Sequence, residues 1–120
     1  MNEVTVRVLR QCRVDQTRSN GPGSIVYSPA VFKDVEDGRP IFRSHIRKGV
    51  LERWGDLLMV RVAGWDGDIR LEPLEKSIWL VSERAAKTYL AHAMLDLVEE
   101  LTAASRTLLE EIKEEGGHGS

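Results

Sequence analysis

The polar and apolar positions along the chain follow two different periods, and the change falls near residue 82. Before that point apolar residues alternate with polar ones in short runs, which is the period of a half-buried β-strand. Strands are predicted on this basis at residues 3–14, 24–27, 30–33, 41–46, 49–53, 57–63, 68–72 and 78–81. Glycine, proline and aspartate are common in the intervening segments, as expected for tight turns. Residues 1–82 are therefore predicted to form a mainly β body, either a small barrel or a strongly bent antiparallel sheet.

One long amphipathic helix is predicted at residues 83–115. Ser82 is a suitable N-cap, Glu83 suits the positive end of the helix dipole, and no glycine or proline follows before residue 116. Such a helix is about 50 Å long at 1.5 Å per residue, whereas a body of this size is about 30 Å across. The body cannot cover the whole helix, so part of it is expected to project. The last residues, 116–120, are predicted to be disordered.

The helix contains an apolar seam with alternating spacings of four and three residues, the pattern of heptads. Two interpretations are open: the seam packs on the protein's own β body, or it pairs with a second copy or another protein. The distal end of the seam lies furthest from the body, which favours self-association there. The predicted helix interface consists of Leu90, Met94, Leu97, Leu101, Leu108 and Ile112.

Composition excludes several classes of protein. The single cysteine, Cys12, excludes an internal disulfide and indicates a reducing compartment. No apolar run approaches the roughly 18 residues of a membrane-spanning helix, and the first residues lack the pattern of a signal peptide. We therefore expect a cytoplasmic protein that does not insert into membranes.

No combination of residues in the sequence has the types and spacing typical of a catalytic site. Cys12, His45 and His92 occur singly in separate predicted elements, without the short spacings of a metal site. Asp66 and Asp68 flank a glycine, and a tight hairpin turn accounts for both of them. We therefore predict no catalytic residue, no metal ion and no cofactor, and expect that the protein is not an enzyme.

A basic segment between Asp37 and Glu52 is a candidate for binding nucleic acid or a partner protein. It contains no acidic residue, and an aromatic side chain beside guanidinium groups can stack on a base. Two tryptophans at predicted turns extend the candidate surface, because tryptophan is enriched in interfaces. Alternatively, the basic residues form a solvated outer face paired with glutamates. Residues 1–82 carry 13 basic and 11 acidic residues, and this small excess favours the second interpretation. The predicted binding residues are Arg39, Phe42, Arg43, His45, Arg47, Lys48, Trp54 and Trp65.

Residues 48–81 contain a regular succession of strands and turns. Gly49-Val50-Leu51 leads into Gly55-Asp56, an Asp-Gly hairpin follows residues 58–62, and Trp79-Leu80-Val81 ends the series. This succession resembles the SH3-like small barrels of KOW and Tudor domains. The resemblance concerns the fold alone, and it implies binding rather than catalysis.

The function expected from the sequence is that of a non-enzymatic binding or adaptor protein. Its β body is expected to supply a recognition face, and its C-terminal helix an interface for a homodimer or another protein. The alternative is a nucleic-acid-binding accessory or regulatory protein that uses the arginine-rich segment 39–48.

Overall fold

A computed structural model of the chain describes residues 1–18, 21–64 and 66–119, with side chains through residue 116. Its elements, in chain order, are α1 (Glu3–Cys12), β1 (Ile25–Glu36), β2 (Arg39–Trp54), β3 (Leu57–Ala63), β4 (Ile69–Pro73), a 3₁₀ turn (Leu74–Lys76) and α2 (Glu83–Gly119). The strands form one antiparallel sheet in the order β1-β2-β3-β4, which does not close on itself. The predicted class, a mainly β body followed by one long C-terminal helix, is confirmed.

The first element is a helix, so the strand predicted at residues 3–14 is wrong. The side chain of Asn2 caps α1 by accepting a hydrogen bond from the Thr5 backbone N–H at 2.9 Å. Thr5 is fully buried, and Val8 and Cys12 pack on the cluster around Leu80. These three positions are spaced three and four residues apart, which is the period of a helix. Three alternating valines obscured this spacing, and packing against α2 overrides their β propensity.

The first two strands are longer than predicted. The strands predicted at 24–27 and 30–33 correspond to one strand, β1, which begins at Ile25, and those predicted at 41–46 and 49–53 merge into β2. The hairpin turns at Asp37 and Gly38, which both have positive φ. Since β3 pairs only with residues 49–54 of β2, the distal half of the β1–β2 hairpin extends beyond the rest of the sheet.

The inner face of the sheet holds the core. Val26, Leu51 and Val60 are buried there with Trp79, whose side chain is fully enclosed. After the 3₁₀ turn the chain returns to β1, where Leu80 and Tyr27 exchange backbone hydrogen bonds of 2.7 and 2.9 Å. The strand predicted at residues 78–81 is reduced to Leu80, which forms isolated bridges to Tyr27 and to Arg13.

Helix α2 packs on the body only along its first half. Ala86 and Leu90 are buried, and Asp96 accepts hydrogen bonds of 3.0 and 2.9 Å from the backbone and side chain of Asn2. From Val98 to Gly116 every side chain is exposed. The radius of gyration is accordingly 19.4 Å, against about 14 Å for a compact chain of this length. The predicted overhang is confirmed, and the helix continues to Gly119, into the segment predicted to be disordered.

Candidate protein-interaction site

The predicted basic segment lies within β2, where it is divided between two faces of the sheet. Successive side chains of a strand point in opposite directions. The aromatic Phe42 and Lys48 therefore lie on the face opposite to that of Arg39, Arg43, His45 and Arg47. Because the aromatic ring is not on the face of the arginines, the predicted pairing of guanidinium and stacking groups is absent from this strand.

The side chain of Arg47 is largely buried. Its Nη1 lies 3.2 Å from Glu72 Oε1, its Nη2 donates to Ser77 Oγ at 3.0 Å, and its guanidinium carbon lies 5.2 Å from the centre of the Trp79 ring. The side chains of Arg47 and Glu72 are only 23% and 11% exposed. The two side chains thus link β2, β4 and the returning segment, and Arg47 contributes to the fold rather than to a binding surface.

The β4 side chains face opposite to their predicted directions. The alternation of residues 69–72 in the sequence predicts Ile69 and Leu71 in the core and Arg70 and Glu72 outside it. In the structure Glu72 is buried and Ile69 is exposed. A shift of one residue exchanges the two faces of a strand. The buried guanidinium of Arg47 accounts for this shift, because it gives the Glu72 carboxylate a partner inside the sheet.

The tip of the projecting hairpin, residues 33–43, carries no net charge. Arg43 forms an exposed ion pair of 3.2 Å with Glu36, and exposed pairs of this kind contribute little to stability. The three basic side chains of this tip are matched by three acidic ones: Lys33, Arg39 and Arg43 against Asp34, Glu36 and Asp37. Nearer the body, β2 adds Arg47, which is paired with Glu72, and Lys48. The hairpin tip therefore lacks the excess positive charge that a phosphate-binding surface needs.

A second surface, the outer sheet face, was not identified from the sequence. We define it by exposed apolar side chains that the strand register brings to the face opposite the core: Ile25, Val50, Trp54, Leu57 and Ile69. Ile25 lies directly opposite Val50, and Trp54 opposite Leu57. The alternation in residues 49–63 could have indicated this face, had the strand register been known.

An ion pair lies at the centre of the outer sheet face. Arg61 donates from Nε to Glu52 Oε2 at 2.6 Å and from Nη2 to Glu52 Oε1 at 2.9 Å. These hydrogen bonds, with the opposite charge, lower the pKa of Glu52 and raise the pKa of Arg61. Both groups therefore stay ionised at neutral pH, and the outer sheet face combines a fixed pair of charges with surrounding apolar side chains.

Of the two tryptophans predicted to bind a partner, the structure describes Trp54. Trp54 is exposed at the end of β2, on the outer sheet face. Trp65 lies outside the described residues. Only Trp54 can therefore be assigned to a surface.

The predicted helix seam separates into a covered part and an uncovered part. Leu90 is buried at 7% exposure, and Leu97 is half-buried, so both face the body. Met94, Leu101, Leu108 and Ile112 are exposed. Together with neighbouring exposed residues these four form a row of apolar side chains, which Ser105 interrupts and which we call the α2 stripe: Met94, Leu95, Val98, Leu101, Leu108, Leu109 and Ile112.

A groove separates the β1–β2 hairpin from α2. It has a volume of about 490 Å³, and its walls include Val31 and Phe42 on the hairpin and Tyr89 and Leu97 on the helix. Phe42, predicted as a binding residue next to arginines, is thus part of an apolar groove beside the helix.

Within the described part of the chain, no three or more His, Cys, Asp or Glu side chains are grouped so that they could hold a metal ion. None of the helices described there is long and apolar enough to cross a membrane. No protein-family model, curated protein or solved structure matches the chain.

Proposed function

We propose that this chain is a non-enzymatic binding or adaptor protein that acts in the cytoplasm. In this proposal the outer sheet face recognises a partner protein, and α2 provides an interface to a second copy or to another protein. The observation that carries the proposal is the exposure of every side chain from Val98 to Gly116, although this segment contains the apolar Leu101, Leu108 and Ile112. The unpaired Cys12 supports the cytoplasmic location.

The exposed half of α2 lacks the tertiary contacts that normally stabilise a helix. A helix without tertiary contacts is only marginally stable in water, because most helix stability in proteins comes from packing an apolar face. Contiguous exposed apolar surface on a protein is typical of interaction sites. A projecting helix with a regular apolar stripe is therefore best explained by a partner that covers the stripe.

The outer sheet face has the composition of a recognition surface. An exposed tryptophan is a frequent source of binding energy in protein interfaces, and Trp54 lies there with four aliphatic side chains. The bidentate Glu52–Arg61 pair adds a polar feature that discriminates between partners.

An SH3-like small barrel is part of this proposal. The antiparallel order β1-β2-β3-β4, the 3₁₀ turn after β4, and the return of Leu80 to Tyr27 on β1 support that relationship. Folds of this kind host many binding functions, so the relationship favours binding without identifying the ligand.

Nucleic-acid binding through residues 39–48 has less support. Arg47 contacts Glu72, Ser77 and the Trp79 ring, and the charges of the hairpin tip, residues 33–43, balance. Affinity for a phosphate backbone depends on several uncompensated cations acting together.

Comparative affinity capture from the native host tests the recognition face. Val50→Glu places a charge in the centre of the outer sheet face, and Ser44→Glu places the same charge on an exposed site of the same strand outside it. We expect the wild-type chain and Ser44→Glu to retain the same partner. Val50→Glu is expected to reduce the retained amount by about tenfold or more, the equivalent of at least about 1.4 kcal/mol of binding free energy.

Thermal unfolding of both variants provides the control that each is folded. Equal capture by Val50→Glu and Ser44→Glu would show that the outer sheet face is not the recognition face. A wild-type chain that retains no specific partner, through either surface, would contradict the proposed function itself.

A further inference from the structure

We propose that two copies of this chain associate through the α2 stripe as an antiparallel pair of helices. The inference rests on the proposed function and goes further, because it names the occupant of the stripe and the direction in which it lies. It follows from the position of the stripe around the helix, the distribution of charge along it, and its area.

The centre of the α2 stripe lies to one side of the helix face that packs on the body. At 100° per residue, Val98 lies about 100° from Leu97 and about 140° from Ala93, which line the groove towards the β hairpin. Ile112 lies about 60° from Leu97 and about 100° from Ala93. The stripe nevertheless begins at Met94, at a level where the other side of α2 is packed on the body. A second helix can therefore lie along the whole stripe, about 27 Å from Met94 to Ile112, without displacing any contact of the fold.

An antiparallel alignment centred on residue 103 matches four of the apolar positions of the two copies, and places Leu101 opposite Ser105. Met94 then lies opposite Ile112 of the second copy, and Val98 opposite its Leu108. These layers follow the spacing of four and three residues in which helix pairs interdigitate. On one flank Leu95 lies about 3 Å along the axis from the level of Leu109 of the second copy, so the two side chains are close enough to pack.

Charge favours the antiparallel over the parallel direction. Residues 110–115 contain four glutamates and one lysine, so a parallel pair would place two acidic ends side by side. The antiparallel pair separates these ends by more than a Debye length of about 8 Å. Each end then lies at the level of Asp96 of the second copy, whose carboxylate oxygens already accept hydrogen bonds from Asn2.

The area of the stripe is sufficient for a specific dimer. Burying a large aliphatic side chain is worth about 1.5–3 kcal/mol at about 25 cal/mol per Å², which corresponds to roughly 60–120 Å² each. Each side chain of the stripe is only partly exposed in the monomer, so dimerisation buries only part of its surface. Over two copies the buried area is on the order of 1,000 Å², the lower limit for a specific interface. A weak, concentration-dependent dimer is therefore expected.

Sedimentation equilibrium of the full chain over a wide concentration range tests the association. The wild-type chain is expected to approach twice its monomer mass as concentration rises. Leu101→Glu/Leu108→Glu is expected to stay monomeric, because it buries charge in the seam. The control Ala103→Glu/Thr107→Glu adds the same charges at the same level on the opposite side of α2, and it is expected to dimerise like the wild type.

Disulfide cross-linking tests the direction. In a Cys12→Ser background, protein carrying Met94→Cys mixed with protein carrying Ile112→Cys is expected to give a mixed cross-linked dimer. Ile112→Cys alone is expected to give none, because the two copies of that position are about 27 Å apart in the antiparallel pair.

A wild-type chain that stays monomeric would overturn the inference, and so would a dimer that survives Leu101→Glu/Leu108→Glu. Efficient cross-linking of Ile112→Cys alone would overturn the antiparallel direction. A third outcome is a wild-type chain that is monomeric but captures another protein, which the Leu101→Glu/Leu108→Glu variant no longer captures. That outcome would overturn this inference and support the proposed function. The Val50→Glu capture remains an independent test of the recognition face.

Discussion

Replacing Arg47 by leucine is expected to lower the free energy of unfolding by about 3 to 5 kcal/mol, the cost of leaving a buried charge without its partner. The Glu72 side chain is 11% exposed, and Arg47 is its ion-pair partner at 3.2 Å. The other carboxylate oxygen, Oε2, is buried and has no hydrogen-bond partner among the described residues. Loss of the guanidinium would therefore leave the carboxylate with little contact with water and without its counter-charge. Urea unfolding at neutral pH measures the difference.

The double variant Arg47→Leu/Glu72→Leu is the control for this prediction. Removing both charges eliminates the unpaired carboxylate, and an apolar pair of similar volume is often as stable as a buried ion pair. We expect the double variant to recover most of the loss, so the two single substitutions will be far from additive. Additive losses, or a loss below about 1 kcal/mol for Arg47→Leu, would show that the pair is not a structural element of the core.

Replacing Gly49 by alanine is expected to lower the free energy of unfolding by about 1 to 3 kcal/mol, as overpacking of a filled core does. A Cβ at Gly49 would lie 2.3 Å from Val60 Cγ1 and 3.1 Å from the Trp79 ring. Val60 is fully buried and branched at its Cβ, so it has little freedom to move aside. The absence of a side chain at residue 49 is what allows the Trp79 indole to lie against the sheet.

Gly116→Ala makes the same chemical change where space is open. A Cβ there would have no atom within 4 Å, and alanine is favoured over glycine in a helix by up to about 1 kcal/mol. We expect thermal unfolding to show no loss for Gly116→Ala and a clear loss for Gly49→Ala. Equal stability of the two variants would contradict the close packing of Trp79 on the sheet.

Some features of the fold followed directly from local patterns. Helix α2 was predictable because Ser82 caps it, no breaker interrupts it, and its length alone required an overhang. Strand β3 was predicted with its exact bounds, Leu57–Ala63, because its alternation is regular and a turn precedes it. Each of these features is determined by residues that are close together in the sequence, so local patterns are sufficient to predict it.

Other features depended on contacts between distant residues. The helical state of α1 is supported by Asn2 bonding to Asp96, far along the chain. The inward position of Glu72 depends on Arg47, two strands away in the sheet. The outer sheet face required the pairing of Ile25 with Val50, and no local pattern contains that register.

The candidate residues illustrate the same limit. The predicted seam of α2 is apolar as expected, but only the fold reveals that Leu90 faces the body while Leu108 does not. The basic segment is continuous in sequence, yet the strand divides it between two faces and draws Arg47 inside. Spacing along a helix therefore predicted its apolar surface well, whereas clustering along a strand did not predict a patch.

If both surfaces act as proposed, the dimer would present two recognition faces. The body packs on α2 near Leu90, so in the antiparallel pair the two bodies would lie about 40 Å apart along the helix axis. A partner with two sites at a matching distance would bind with an avidity above that of one face. The projecting helix would then determine both the number and the spacing of the recognition faces.

Site-specific photo-cross-linking in intact host cells measures most directly whether the projecting half of α2 is an interface. A benzoylphenylalanine is introduced at Leu108, on the α2 stripe, or at Glu110, which lies about 200° around the helix. We expect a discrete cross-linked product from Leu108→benzoylphenylalanine, either a second copy or another protein, and little or none from Glu110→benzoylphenylalanine. Absence of a product at Leu108, or equal products at both positions, would contradict the assignment of the stripe as a binding surface.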